Sequence, residues 1–354
     1  VCWMVKNDVE IFFVFSFSNS NAEELLSWSD CLAEARKNNP DLISAQEMVN
    51  QRQSDKFIAA SGLYPQIDVD LNASTSKTSS QSSTTGSTSS STTDSYSYGL
   101  SGTQLLFDGF KKLNEINSAS QDIKAAKYGY SFTSAEVRLS LRTAFINLLE
   151  AQELVRVTEE IYNIRRNSLE LITLRYHSGL EHKGALLTAE ANLTSASSDV
   201  SQAKRSIELA QRQLNKAMGR KEFKPMLVKG DFNVAEAVRS KPDFEELANN
   251  NPSLLQAAAK KNSAAFDIKT AYADFYPQLS GSGGTGRSGS TWPPRYEQWN
   301  AGLSVNMPVF EGGLRLARVS KAKAAYRQAE ADERSLKDSV VVSLEQTWTS
   351  LQDA

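Results

Sequence analysis

Two hydrophobic periods alternate along the chain. Ile67, Val69, Leu71 and Ala73 take turns with Gln66, Asp68, Asp70 and Asn72, while Tyr96, Tyr98, Leu100 and Leu106 face away from Ser95, Ser97, Ser101 and Thr103. A period of two is that of a strand with one apolar and one polar face. Further on, a weak glycine-rich strand starts at Gln278 and a turn falls near Pro293 and Pro294. After that turn, Trp299, Ala301, Leu303, Val305 and Met307 alternate with Asn300, Ser304 and Asn306. The clear strands are each about ten residues long, the span of a tilted membrane strand. The Ser/Thr-rich stretch from Ser74 to Ser95 is expected to be a solvated loop, since it cannot build a core.

The second period is helical. From Phe110 to Tyr176 there is no proline and Gly129 is the only glycine, so about 65 residues can run as one rod of roughly 100 Å. Leu154, Val157, Ile161, Ile164 and Leu171 follow three-four spacing and are expected to form a coiled-coil seam. In the next segment Leu186, Leu193, Val200, Ile207 and Leu214 recur every seventh residue, with Ala189, Ala196, Ala203, Ala210 and Ala217 three positions later. Alanine at one core position lets the facing backbone come close. Between the two segments Gly179 can take the positive φ of a helix end, which predicts an antiparallel hairpin with its tip there.

The pattern occurs twice. Asn38 to Ile67 reads NNPDLISAQEMVNQRQSDKFIAASGLYPQI, and Asn250 to Leu279 reads NNPSLLQAAAKKNSAAFDIKTAYADFYPQL, an offset of about 212 positions. A second register, with Phe107 against Phe310, has an offset of about 203 and also aligns Ser140 with Ser343, Leu141 with Leu344, Phe145 with Trp348 and Leu148 with Leu351. The expected organisation is a signal peptide at 1–22, helices of the first repeat at 23–65, a β-hairpin with its loop at 66–107 and a long helical hairpin at 108–219. A linker at 220–249, a helix of the second repeat at 250–277, a second β-hairpin at 278–310 and the start of a second rod at 311–354 follow. On the second register Ala354 answers Ala151. The chain is therefore expected to be truncated at its C-terminus, with about 70 residues still to come. Val341, Leu344, Trp348 and Leu351 would then be left exposed.

Composition removes other functions. A formal net charge of −2 and a pI near 5.9 give no basic excess for a phosphate backbone, so nucleic acid is not an expected partner. Cys2 and Cys31 form no CxxC pair, and Cys31 reads as a small buried residue. His177 and His182 both fall near the tip with only Glu181 beside them, which favours polar tip residues over a metal site. Without a nucleophile-base-orienter set or a phosphate loop, neither an enzyme nor a cofactor is expected. The longest apolar run, Ile11 to Phe17, is far below the ~20 residues of a membrane helix. It fits a signal-peptide core, with Lys6 before it and Ser20-Asn21-Ala22 after it, although Asp8 and Glu10 are unusual in that place.

Four strands cannot close a barrel, since about eight is the practical minimum, and open edges in lipid leave backbone groups unsatisfied. Closure has to come from further copies. For any single strand a soluble sheet with one wet face is the better reading, but two hairpins each feeding a long helix are hard to reconcile with it.

The Asn-Pro helix starts, the Tyr-Pro-Gln strand entries, the exits Phe107-Asp108-Gly109 and Phe310-Glu311-Gly312, and the tip Arg175-Tyr176-x-x-Gly179-Leu180 resemble those of the TolC-type outer-membrane efflux proteins. The likeness covers about Leu25 to Ala354. It implies a mainly α fold with a transmembrane β part, in which long antiparallel coiled-coil hairpins and four strands per protomer build a trimeric, twelve-stranded barrel. It further implies a homotrimer in outer-membrane lipid of a Gram-negative bacterium, with the helices in the periplasm. Such a channel is a passive conduit of a tripartite efflux or type I secretion system, exporting small molecules or proteins. Its partners would be a periplasmic adaptor protein and an inner-membrane pump. Arg175, Tyr176, Gly179 and Leu180 would form the adaptor-docking tip, and Asp68, Asp70, Asn300 and Asn306 would line the pore. One departure stands out: many relatives carry an aspartate a few residues beyond the Gly-Leu pair, where this chain has Gly184 and Leu187, so no acidic constriction is assigned to this hairpin. The competing reading is a trimeric coiled-coil surface stalk or adhesin without transport activity.

Overall fold

The computed structural model describes residues 24–81, 88–230 and 241–353. The expected signal peptide, Cys2 and the middle of the Ser/Thr-rich stretch lie outside the described residues. In chain order the elements are β1 (Glu24–Leu26), α1 (Trp28–Asn38), α2 (Pro40–Ser61), β2 (Gln66–Gln81), β3 (Thr88–Phe107), α3 (Lys111–His177), α4 (Lys183–Met218), β4 (Met226–Val228), α5 (Phe244–Asn249), α6 (Pro252–Ala273), β5 (Gln278–Gly289), β6 (Tyr296–Asn306) and α7 (Leu314–Asp353).

Both repeat registers reappear in these bounds. α2 and α6 are each 22 residues long and open on proline, whose missing N–H is one that a helix start leaves unpaired anyway. β2 and β5 each begin on the glutamine of Tyr-Pro-Gln. α3 and α7 begin at Lys111 and Leu314, the same offset of about 203 that separates Phe107 from Phe310. At each strand exit two consecutive residues take positive φ, Gly109 (67°) with Phe110 (66°) and Gly312 (58°) with Gly313 (87°). Phe110 alone among the four carries a side chain into a conformation that costs an L-residue about 1–2 kcal/mol.

The chain divides into two compact units, one of residues up to Asn39 with Arg138–Phe232, the other of Pro40–Val137 with Asn233–Ala354. In the first, β1 and β4 pair in parallel and cover a core of Cys31 and Ala35 from α1, Leu141, Phe145 and Leu148 from α3, and Leu214 and Met218 from α4. Ser27 and Asp30 form a capping box at the start of α1. Arg220 joins Glu34 at 2.6 Å and Glu24 at 2.9 Å. Ala189, Ala196, Ala203 and Ala210 are buried along α4 and the aliphatic heptad set lies buried or half-buried beside them. Lys204 of α4 meets Glu159 of α3 at 2.8 Å.

The outgoing rod differs from expectation. Leu154, Val157, Ile161, Ile164 and Leu171 are exposed, and the half-buried side of α3 instead runs through Val155, Thr158, Tyr162, Leu169, Thr173 and Tyr176. The rod thus carries two stripes at helical spacing. Periodicity reports that a stripe exists, not which neighbour it meets.

In the second unit β2, β3, β5 and β6 form one antiparallel sheet in that order. The stretch from Ser74 to Ser95 is not a loop where it is described: pairing continues from Ser74 opposite Ser95 to Gln81 opposite Thr88. A ladder needs only backbone hydrogen bonds, and with no core to fill, hydroxyl side chains serve as well as apolar ones. α6 packs against α7, with Lys261 at 2.5 Å from Glu333. Val341, Leu344 and Trp348 are half-buried and only Leu351 of the expected seam is exposed, because α5 also lies against α7, where Lys241 reaches Glu345 at 3.5 Å.

Candidate functional site

The sheet register sorts side chains by face, since residues directly opposite in an antiparallel pair share one. Asp68 stands opposite Ser101, Ser101 opposite Gly284 and Gly284 opposite Asn300. Asp70, Gly99, Gly286 and Gln298 form the next row, and Asn306 opposite Gln278 lies on the same side. The four residues expected at a pore therefore share one polar face. The carboxylate of Asp70 and the amide of Asn300 lie across neighbouring glycines, with Asn300 Oδ1 2.9 Å from where a Cβ of Gly284 would stand and Asp70 Oδ1 3.5 Å from that of Gly99.

The other face is mostly apolar, with Gln104, Thr285 and the Arg287–Glu297 pair, 3.9 Å apart, as its polar members. Val69 opposite Leu100, Leu71 opposite Tyr98 and Ala73 opposite Tyr96 continue on β6 as Trp299, Ala301, Leu303 and Val305. A register shift between Leu105 and Phe107 brings Phe107 opposite Leu279, so both Leu106 and Phe107 join this side. Nothing covers it within the described residues: Val69 is 71% exposed, Leu303 74% and Trp299 80%. Toward one end this face turns polar: Arg287 and Glu297 already pair in the row of Leu71 and Tyr98 on β5 and β6, and one step beyond Ala73 and Tyr96 Thr75 donates to Asp94 at 2.8 Å. Trp292 packs edge-on against Tyr96 and Tyr98 at this boundary, with centroids 6.3 and 6.1 Å away. Beyond the other end Phe107 meets Phe110 at 5.6 Å.

A charged junction lies where the strands enter helices, and sequence reasoning missed it. Asp274, at the end of α6, binds Lys111 of α3 at 2.7 Å and Arg318 of α7 at 3.1 Å. Arg315 holds Glu311 at 2.8 Å and stacks over Phe275 at 5.4 Å. Burial alone would raise the Asp274 carboxyl, but Lys111 and Arg318 outweigh it and hold it below the usual range. A cleft of about 310 Å³ opens among Asp108, Lys111, Asp274, Asn306, Glu311 and Arg315. The available signal was a basic residue two or three positions after each Phe-Asp/Glu-Gly exit, Lys111 and Arg315.

At the tip, the motif is a helix stop. Leu180 donates its N–H to the Arg175 carbonyl at 2.8 Å and Gly179 donates to Tyr176 at 3.0 Å, the paired bonds of a Schellman turn with Gly179 at φ 74°. The spacing Arg-Tyr-x-x-Gly-Leu is thus the spacing of the reversal. The Arg175 side chain comes within 4.0 Å of Glu181, while Leu180 is 71% exposed. His182 is not idle: its Nδ1 accepts the Ala185 N–H at 2.8 Å and caps α4.

The family model "Outer membrane efflux protein" matches residues 31–220 and 244–354. The chain belongs to the outer membrane efflux protein family. It is 21% identical over 331 residues to the outer membrane efflux protein BepC of Brucella suis biovar 1, covering 91% of this chain and 69% of that protein. To the outer membrane protein TolC of Escherichia coli K12 it is 25% identical over 341 residues, covering 90% and 65%. It therefore spans about two thirds of the length of these curated relatives. Among solved structures it shares the fold of CusC, with a TM-score of 0.74 at 18% identity over 91% of this chain and 76% of that one. The expected family and fold class are thereby met.

Proposed function

We propose that this member of the family is one protomer of a trimeric outer-membrane channel, a passive conduit of a tripartite efflux or type I secretion system. The observation that carries the reading is the sheet, with two uncovered faces of opposite character and two edge strands, β2 and β6, that have no outer partner among the described residues. In lipid each unpaired edge group costs several kcal/mol. Pairing β2 with β6 of the next copy removes both edges, and three copies make twelve strands with the apolar face toward lipid. From Tyr98 to Phe107, β3 rises about 30 Å along the strand, or about 23 Å at a tilt of ~40°, near the ~25 Å of an outer-membrane apolar band. Trp292, Tyr96 and Tyr98 at one end and Phe107 and Phe110 beyond the other support an interfacial aromatic belt on each side. The exposed stripe from Leu154 to Leu171 supports contact between rods of neighbouring copies.

On this reading Asp68, Asp70, Asn300 and Asn306 line the aqueous pore. Arg175, Tyr176, Gly179 and Leu180 form the rim on which a periplasmic adaptor sits, and an inner-membrane pump supplies the energy. No catalytic step is assigned to the chain. The test is thiol labelling of the membrane-extracted full-length protein, which should be a trimer by light scattering. Cysteines at Asp68, Asp70 or Asn300 should react with water-soluble reagents, and those at Val69 or Leu303 should not. A monomer with full strand content, or equal labelling on both faces, overturns the reading. Absence of conductance in planar bilayers would favour the surface stalk instead.

A further inference from the structure

A helix start leaves four N–H groups without intrahelical partners, and the residue before the first turn commonly satisfies one with a side-chain oxygen of Ser, Thr, Asp or Asn. α4 uses an imidazole instead. His182 has extended backbone (φ −93°, ψ 157°) and its Nδ1 accepts from Ala185 N–H at 2.8 Å. The same N–H lies 3.1 Å from the His182 carbonyl, so it is shared between two acceptors. For Nδ1 to accept, the hydrogen of the neutral ring sits on Nε2. Protonation turns Nδ1 into a donor aimed at another donor. Oxygen caps do not lose their acceptor in this way, whereas imidazole is the side-chain type that gains a proton in the range of about pH 5 to 8.

We infer that His182 makes the first turn of α4 a pH-sensitive element, capped at neutral pH and loosened in acid. The charged and titratable side chains on the elements meeting here are Arg175, Tyr176 and His177 at the end of α3, Glu181 in the turn and Lys183 on α4. Glu181 is the one acid, and it lies 4.0 Å from Arg175. The second residue of α4 is Gly184, a poor helix former, so the turn has little else to hold it. The switch is local to the helix start and does not depend on what docks at the tip.

Hydrogen–deuterium exchange on the full-length protein in detergent, corrected for intrinsic rates, tests this at about pH 7.5 and about pH 5.5, near the ends of the imidazole range. In the wild type, protection across 183–188 should fall about five-fold in acid, the worth of one capping bond, while the end of α4 before Gly219 stays unchanged. His182→Asn supplies an acceptor that does not titrate and should keep its protection at both values; His182→Ser serves if that variant fails to assemble. His177→Gln should keep the wild-type response. No acid response in the wild type, or the same response in His182→Asn, overturns the inference.

Discussion

Gly109 and Gly312 hold the same place in the two strand exits, yet alanine should cost different amounts at each. Both sit at positive φ, 67° and 58°, so either substitution carries the left-handed penalty of about 1–2 kcal/mol. At Gly312 nothing among the described residues lies within 4 Å of the position a Cβ would take, so the conformational penalty is the whole effect. At Gly109 the added atom would stand 2.6 Å from the Tyr276 Cβ and 2.9 Å from the Ala273 carbonyl oxygen. Neither is the far end of a flexible side chain, so the last turn of α6 must shift, which adds roughly 1–3 kcal/mol of overpacking strain. Gly109→Ala should therefore cost about 2–5 kcal/mol and Gly312→Ala about 1–2. The comparison needs apparent unfolding midpoints of the two variants and the wild type in detergent, by tryptophan fluorescence at one scan rate, because membrane assemblies rarely refold. Equal losses, or a larger loss at Gly312, would refute the assignment of the extra cost to α6.

At the tip, Gly179 also has φ 74°, with nothing among the described residues within 4 Å of a Cβ placed there. A β-branched residue tolerates that conformation badly, so Gly179→Val should lower export while leaving oligomer assembly intact; unchanged export would remove the docking role. Asp267 accepts the Ser118 hydroxyl at 2.8 Å, but burial raises its carboxyl above the usual range, with Asp122 and Glu115 adding to the rise. The folded chain then holds this proton more tightly than the unfolded one. Its stabilising share is complete below about pH 3.9, the unfolded aspartate value, and is lost as pH rises through the raised one. Asp267→Asn should flatten the midpoint-versus-pH curve just above that value and raise the midpoint at neutral pH. A curve parallel to the wild type would show that Asp267 does not titrate there.

Much of the fold and part of the candidate site were legible in the residues themselves. Alternation at Ile67–Ala73 and Trp299–Val305 determined strands and their faces, because a period of two leaves no other assignment. The alanine heptads of α4 determined its buried side, and Gly179 determined the reversal. The two offsets of the repeat set where α6, β5 and α7 begin. Tertiary structure decided the rest. The stripe from Leu154 to Leu171 has helical spacing and still does not face α4, because spacing carries no information about the neighbour. The Ser/Thr-rich stretch became paired strand because a ladder draws its bonds from the backbone, which composition does not report. Asp274, Lys111 and Arg318 lie far apart in the chain, and only the packing of three helix ends makes them one junction. His182 reads as a polar tip residue until the backbone turns its ring onto the Ala185 N–H, since a cap is a matter of φ, ψ and direction and not of residue type alone.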